Sequence, residues 1–379
     1  MKLMHISDLH IGKRLMDVSL LEDQRCILHQ MLSLIDDERP DAVLIAGDVY
    51  DRANPSAEAT ELLDEFLSGL AQRDVCVMMI SGNHDSPERL AYARGFLARS
   101  RIHVSPVYDG HIEPVVLHDA QGEVCFYMMP YVHPDSVAPY FEGRSIRNAH
   151  DAVEAVIGEM AVDTTKRNVI LSHQFIVGGT TSESERRTIG TLEDVGASLY
   201  DAFDYVALGH LHRPQNVGRA DGTMRYCGTP LMYSRSEMSA EKSVTMVELG
   251  AKGEVAVRTV PLAPRRALRL RRGPFDELMR TGPEPGTQED YFFIDLTDEE
   301  DVPHAAARLR ERFAHLLAMG YDNKRTRSFG TVDAPEAVEE KQPMELMMEL
   351  YRLTHQEDMS EDAISFVRET MKRVEGMQA

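Results

Sequence analysis

Five short clusters along the chain combine carboxylates, imidazoles and one carboxamide: Asp8-Leu9-His10, Gly47-Asp48, Gly82-Asn83-His84-Asp85, Ser172-His173 and Gly209-His210-Leu211-His212. Taken singly they say little. A lone histidine such as His173 is ordinarily a hydrogen-bonding residue, and Gly-Asn-His-Asp alone reads as a turn, because Asn and Asp favour turns. Taken together they are oxygen and imidazole donors without a thiolate, a set that suits manganese or iron and argues against structural zinc. Two divalent ions ~3.5–4 Å apart can clamp the attacking and leaving oxygens of a phosphoryl displacement. Asp48 is the natural shared carboxylate, Asp8, His10 and His212 can complete one ion, and Asn83, His173 and His210 the other. Gly82 and Gly209 lack a Cβ where the main chain must pass close to the metals.

Each cluster follows a short apolar run: Lys2–Ile6, Ala42–Ala46, residues 75–80, residues 168–171 and Tyr205–Leu208. Runs of this length, bounded by Gly or a polar residue, predict buried strands. In an open α/β sheet, functional side chains collect beyond the carboxyl ends of such strands. Residues 20–38 and Ala57–Gln72 carry apolar side chains at helical spacing, as do residues 148–160. Ser86-Pro87-Glu88 reads as an N-cap, first helical position and first-turn acid. His84 would then precede a helix N-terminus that favours an anionic phosphate. The pattern turns strand-like from 104 to 130, and residues 224–227, Ser243–Leu249 and Val255–Pro261 suit a strand meander. The expected architecture is a two-sheet α/β sandwich with the metals on one edge.

At 379 residues the chain exceeds the usual single domain. Its formal net charge of −21 argues against general adhesion to nucleic acid. A local basic path, or a partner that supplies phosphate-binding surface, remains compatible with it. Cys26, Cys76, Cys125 and Cys227 are scattered, and read as small buried or neutral residues of a reducing cytosol. No apolar stretch approaches the ~20 residues of a membrane span. The N-terminal residues run directly into the first metal cluster instead of a signal peptide, so a cytoplasmic protein is expected.

The ordered set Asp-x-His, Gly-Asp, Gly-Asn-His-Asp, a lone His and Gly-His-x-His, spread over about residues 1–260, resembles the signature of calcineurin-like metallophosphoesterases. The fuller wording narrows this. His5-Ile6-Ser7-Asp8-Leu9-His10-Ile11-Gly12, Ala46-Gly47-Asp48-Val49-Tyr50-Asp51 and Tyr226-Cys227-Gly228-Thr229-Pro230 are similar to the SbcD nuclease subunit family, bacterial relatives of the eukaryotic double-strand-break repair nuclease. The resemblance implies a manganese-dependent DNA exonuclease and endonuclease that works with SbcC, a large coiled-coil ATPase, as a homodimer within a heterotetramer. It would hydrolyse DNA phosphodiesters by in-line attack of an activated water. His84 would then be a catalytic group over the site, not a metal ligand, and would protonate the leaving sugar oxygen or stabilise developing charge. Asp51 is a candidate orienting partner for His84, and backbone carbonyls are candidates to hold His210 or His212.

Beyond a nuclease domain at 1–261 the character shifts. Arg265, Arg266, Arg269, Arg271 and Arg272 follow a Pro-bracketed linker, Tyr291–Leu296 reads as a strand and residues 302–317 as an amphipathic helix. Residues 262–333 are expected to form a small α/β capping domain whose arginines either contact DNA phosphates or pair with the chain's own carboxylates. Residues 334–343 read as a tether. Residues 344–379 carry apolar stripes for C-terminal helices that would dock on a partner; by the resemblance they would clasp the ATPase coiled coil. Two rival readings stand beside the nuclease: a phosphatase or cyclic-nucleotide phosphodiesterase on the same core, and a non-enzymatic scaffold with a stabilising metal site.

Overall fold

The computed structural model describes residues 1–182 and 193–324, with 326, 348, 351, 352, 358–360, 363, 364, 366 and 367 beyond them. The predicted strands form where the apolar runs placed them: Lys2–Ile6, Ala42–Ala46, Cys76–Ile80, Arg167–Ser172 and Tyr205–Leu208. The first three lie in one six-stranded sheet, in the order Val255–Pro261, Ser243–Leu249, Lys2–Ile6, Ala42–Ala46, Cys76–Ile80, Ile102–Val104. The other two lie in a second, in the order Gln215–Asn216, Met224–Tyr226, Tyr205–Leu208, Arg167–Ser172, Gly122–Met128, Val115–Asp119. All five site-bearing strands pair in parallel with a neighbour, so their carboxyl ends point the same way within each sheet.

The sheets pack face to face through Leu3, Leu44, Met78, Ile80, Phe126, Leu171, Tyr205 and Val247, all buried. Helices Leu21–Glu38 and Ala57–Gln72 cover the outer face of the first sheet with Ile27, Met31, Leu62 and Phe66. Helix Ala149–Glu159, capped by the Asn148 side chain on the Asp151 N–H at 2.8 Å, covers the second. Strands buried on both faces have no polar alternation to show, which is why they read as unbroken apolar runs. Truncating a side chain at the centre, such as Leu171→Ala, costs about 2–5 kcal/mol through lost burial and the cavity left behind.

Three sequence expectations are corrected. Residues 224–227, 243–249 and 255–261 do not form a meander. Met224–Tyr226 runs parallel to Tyr205–Leu208 in the second sheet, whereas Ser243–Leu249 and Val255–Pro261 are a hairpin on the first. The helix expected over 302–317 is confined to Ala305–Arg312. Leu316 and Leu317 sit at helical spacing from Phe313, but they start the strand Leu316–Tyr321 in a three-stranded sheet with Tyr291–Leu296 and Leu268–Gly273. Cys26 is exposed, while the other three cysteines are buried.

The chain divides into two compact units, Met1–Asp295 with Pro303–Gly320, and Leu296–Val302 with Tyr321–Ala379. In the second unit, the Asn323 carboxamide donates to Asp298 O at 2.8 Å and the Tyr321 hydroxyl accepts from Val302 N–H at 2.8 Å. The predicted tether, 334–343, lies outside the described residues, as do most of the predicted C-terminal helices.

Candidate metal centre

The loops that leave the strand ends are tightly wound. Asp8, His10, Asp48 and His210 have φ of 52°, 44°, 49° and 103°, in the left-handed region that L side chains rarely adopt. Four of the seven predicted ligands thus hold a strained main chain, a cost of order 1–3 kcal/mol each that persists where a site over-determines it. The strands close on one another so nearly that a Cβ on Gly82 would collide with Asp48, and one on Gly209 with Ala46 O.

Three carboxylates lock these loops. The Asp8 carboxylate accepts from His210 N–H at 3.0 Å, tying the first strand end to the fifth across the two sheets. Asp48 Oδ1 accepts from His84 N–H at 2.9 Å. The Asp85 carboxylate accepts from Val49, Tyr50 and Gly82 N–H groups at 2.9–3.1 Å. Asp85 was not singled out in the sequence, although a carboxylate directly after Gly-Asn-His in a tight turn is a signal for such main-chain capture.

The donor atoms then converge. His173 gives its Nδ1 proton to Ala46 O at 2.8 Å, which points Nε2 at Asn83 Oδ1, 3.0 Å away, and at Asp48 Oδ2, 3.3 Å away. His210 Nδ1 lies 3.2 Å from the same Asn83 oxygen. On the other side, His10 Nε2 and His212 Nε2 are 3.1 Å apart, with Asp48 Oδ2 3.6 Å from His10 Nε2. Asp8, His10 and His212 form one group whose ligand atoms lie within 4.8 Å of one another; Asp8, Asp48 and His173 form another.

These residues fit a pair of cations. Nitrogen and oxygen donors face each other at contact distance, an arrangement that a shared proton or a cation between them makes favourable. Burial opposes charge on His173, but Asp48 and Asp8 push its pKa up to about 9, while the neighbouring imidazoles overcome burial and hold Asp48 well below the usual carboxylate range. Burial, with the Asp48 charge, raises Asp8 to about 6 and, by itself, drives His10 well down. His10 Nδ1 is buried without a hydrogen-bond partner, 3.7 Å from Asp51 Oδ1. That orphan is resolved if Nδ1 carries the proton toward Asp51 and Nε2 gives its lone pair to a metal.

Residues 1–214 match the model of a family described as calcineurin-like phosphoesterase, and residues 264–355 one described as the type 5 capsule protein repressor C-terminal domain. The SbcD subunit of the SbcCD nuclease of Staphylococcus epidermidis is 32% identical over 84% of this chain and 85% of its own. The same subunit from Staphylococcus saprophyticus is 32% identical over 84% of each. The chain belongs to the SbcD nuclease-subunit family. The sandwich is therefore the metallophosphoesterase fold, and the enzyme class is that of a metal-dependent nuclease. A solved dimetal phosphatase from Danio rerio aligns with 68% of this chain and 95% of its own at 14% identity and a TM-score of 0.42, a likeness too slight to add to the SbcD assignment.

All seven predicted ligands, Asp8, His10, Asp48, Asn83, His173, His210 and His212, meet at this rim, and His84 stands beside them. Asp51 orients His84 otherwise than expected: the contact is from His84 Nδ1 to the Asp51 main-chain carbonyl at 3.0 Å, because the Asp51 carboxylate is taken by Lys13 Nζ at 2.7 Å. Backbone carbonyls hold His84 and His173. His212 instead has its Nδ1 3.4 Å from the buried Glu237 carboxylate, a residue the sequence reading missed. Nothing in the spacing of Glu237 points to it; it arrives on a short 3₁₀ turn, Arg235–Ser239.

Four members of the arginine cluster pair with acids of the chain itself. Arg265 pairs with Glu22 at 3.1 Å, Arg266 with Asp23 at 2.9 Å, Arg271 with Glu284 at 2.8 Å, and Arg269 with Asp290. They neutralise the chain's own acids. No helix among the described residues is long and apolar enough to cross a membrane.

Proposed function

We propose that this chain hydrolyses DNA phosphodiesters, as exonuclease and endonuclease in DNA end processing and double-strand-break repair, with two manganese ions held at the rim. The observation that carries it is that Asn83 Oδ1 and Asp48 Oδ2 both lie within 3.3 Å of His173 Nε2, beside the facing His10 and His212 nitrogens. Asp48 would be the shared ligand, with Asp8, His10 and His212 to hold one ion and Asn83, His173 and His210 the other. When bound, the metals supply Lewis acidity toward phosphoryl oxygens and lower the pKa of water.

The chain's own residues do the rest. Asp8 and Asp85 hold the ligand loops in register through main-chain N–H groups. His84 is fixed through Nδ1 by the Asp51 carbonyl, which leaves Nε2 as the end that gives a proton to the leaving sugar oxygen. His84 also lies within metal-holding reach of His10 and Asp48, so metal content is the readout that separates proton donor from metal ligand.

The relatives are named as one subunit of a two-part nuclease, which supports an SbcC-like coiled-coil ATPase as partner. A formal charge of −21 and the internal pairing of Arg265, Arg266, Arg269 and Arg271 support a partner that supplies phosphate-binding surface. A homodimer within the assembly, cytoplasmic location, and the division into nuclease domain (1–261), cap (262–333), tether (334–343) and partner-binding helices (344–379) belong to the same proposal. The test is cleavage of linear duplex DNA by the purified chain with Mn²⁺, with and without chelator, beside a phosphomonoester and a cyclic nucleotide. Chelator-sensitive DNA cleavage supports the reading; hydrolysis of the small esters alone identifies the phosphatase or cyclic phosphodiesterase rival; neither activity with metals bound identifies the scaffold.

A further inference from the structure

The Tyr226-Cys227-Gly228-Thr229-Pro230 segment carries no metal donor of the kind found in the five clusters, yet it lies against His212. Gly228 has φ 79°, and a Cβ there would come within 2.7 Å of His212 O. That turn lets Thr229 N–H donate to His212 O at 3.2 Å. Beside it lies a buried ion pair that no proposed chemical step uses. Lys242 Nζ donates to His212 O at 2.9 Å, to Thr229 Oγ1 at 2.6 Å and to Glu237 Oε2 at 2.6 Å, which fills its three N–H positions. Glu237 is fully buried. Its Oε1 accepts from Ser234 Oγ at 2.9 Å and lies 3.4 Å from His212 Nδ1; its Oε2 also accepts from Thr229 Oγ1 at 3.1 Å.

We infer that Glu237, held by Lys242 and Thr229, is a positioning residue that keeps the His212 proton on Nδ1 and its Nε2 lone pair aimed at one of the two metals. The cluster grips His212 at both ends, the main-chain oxygen through Lys242 and Thr229 and the ring through Glu237. A buried ion pair is costly and seldom needed for stability, since apolar residues of similar volume often serve as well. Its place against a single imidazole gives it a use: carboxylates that accept from a ligating histidine fix its tautomer and raise its basicity, and losing one typically costs 10–100-fold in metal affinity. Glu237 meets the ring of His212, so the expected effect falls first on the ion that His212 would hold.

This inference rests on the proposal that the rim binds two metals, and the experiment separates the two. Mn²⁺ binding isotherms are measured for the wild-type chain, Glu237→Gln, and the double variant Glu237→Gln/Lys242→Met, which removes both buried charges together and leaves neither unpaired. Nitrogen-15 shifts of His212 are recorded in the metal-free wild-type chain. A wild-type chain that does not bind two ions refutes the metal-centre reading and this inference with it. Given two ions, the expected result is that one binding constant weakens 10–100-fold in the variants and the other stays within about twofold. His212 should show the Nδ1–H tautomer. Two unchanged binding constants in either folded variant, equal weakening of both, or an Nε2–H tautomer in the wild-type chain overturns the role of Glu237 while leaving two-metal binding intact.

Discussion

His10 and His212 follow strands of different sheets, yet their Nε2 atoms lie 3.1 Å apart. Neither strand can bring its histidine there without the other. His10 reaches the contact through a main chain at φ 44°, and His212 through a loop that starts at His210 with φ 103°. The candidate metal centre is therefore a property of the sandwich, and metal bound there would stabilise the packing of the two sheets.

The role of His84 separates from metal binding. With Nδ1 engaged by the Asp51 carbonyl, His84→Ala should keep both ions and lose about 10²–10⁴-fold in nuclease rate. Metal analysis and single-turnover cleavage check this together. Full activity, or loss of an ion, would remove His84 from the proton-donor role.

Gly209→Ala tests the close approach of the sheets. A Cβ there would overlap Ala46 O and press on His173 Nδ1, at 2.7 Å. The backbone must move, so stability should fall by about 1–3 kcal/mol, and metal affinity should fall with it. Denaturant unfolding with and without Mn²⁺ measures both; a variant matching wild type in each would mean the loops are looser than described.

Much of this site is legible in the sequence because ligands must be particular residue types at strand ends. Asp48, Asn83 and His173, which the structure brings together, could be picked out for that reason, and Gly82 and Gly209 as positions where only a missing Cβ fits. The positioning residues are less legible. Asp85 works through three main-chain N–H groups, which only its place after Gly-Asn-His in a tight turn signals, and Glu237 works from a 3₁₀ turn distant in sequence from its histidine, with no spacing to betray it. In the fold, fully buried strands announced themselves, whereas Phe313, Leu316 and Leu317 mimicked a helical stripe that tertiary pairing turned into a strand. Arg265, Arg266, Arg269 and Arg271 could face DNA or their own acids as far as the sequence goes, and only the folded chain shows that each pairs with an acid of its own.

Away from the site, stability should depend on pH through Asp119. Hydrogen bonds from the Arg167 guanidinium, at 2.6 and 2.9 Å, hold its carboxyl well below the usual range. A depressed folded-state pKa gives stability that is fully present above the unfolded value of about 3.9 and is lost as pH falls through the folded value. Asp119→Asn should therefore lower stability by about 1–3 kcal/mol at pH 7. Thermal unfolding at a series of pH values should show that deficit shrinking below about pH 4; a deficit that does not change with pH would assign the loss to packing.

Removal of the C-terminal segment probes the proposed partner. A chain ended after residue 332 should retain manganese-dependent cleavage of simple DNA ends and bind an SbcC-like ATPase more weakly. Co-elution or calorimetry reads the binding. Unchanged affinity would move the interface elsewhere, and a truncated chain that no longer folds would place those residues in this protein's own core.

The central claim is that Asp48 joins two metals into one centre. Its Oδ2 lies 3.3 Å from His173 Nε2 and 3.6 Å from His10 Nε2, one from each proposed ligand set. The most direct test is the metal content of purified Asp48→Ala beside wild type after equilibration with Mn²⁺ and removal of free ion, with circular dichroism to confirm the fold. The account predicts two ions per wild-type chain and none in a folded variant that no longer cleaves DNA; two ions retained in Asp48→Ala would contradict it.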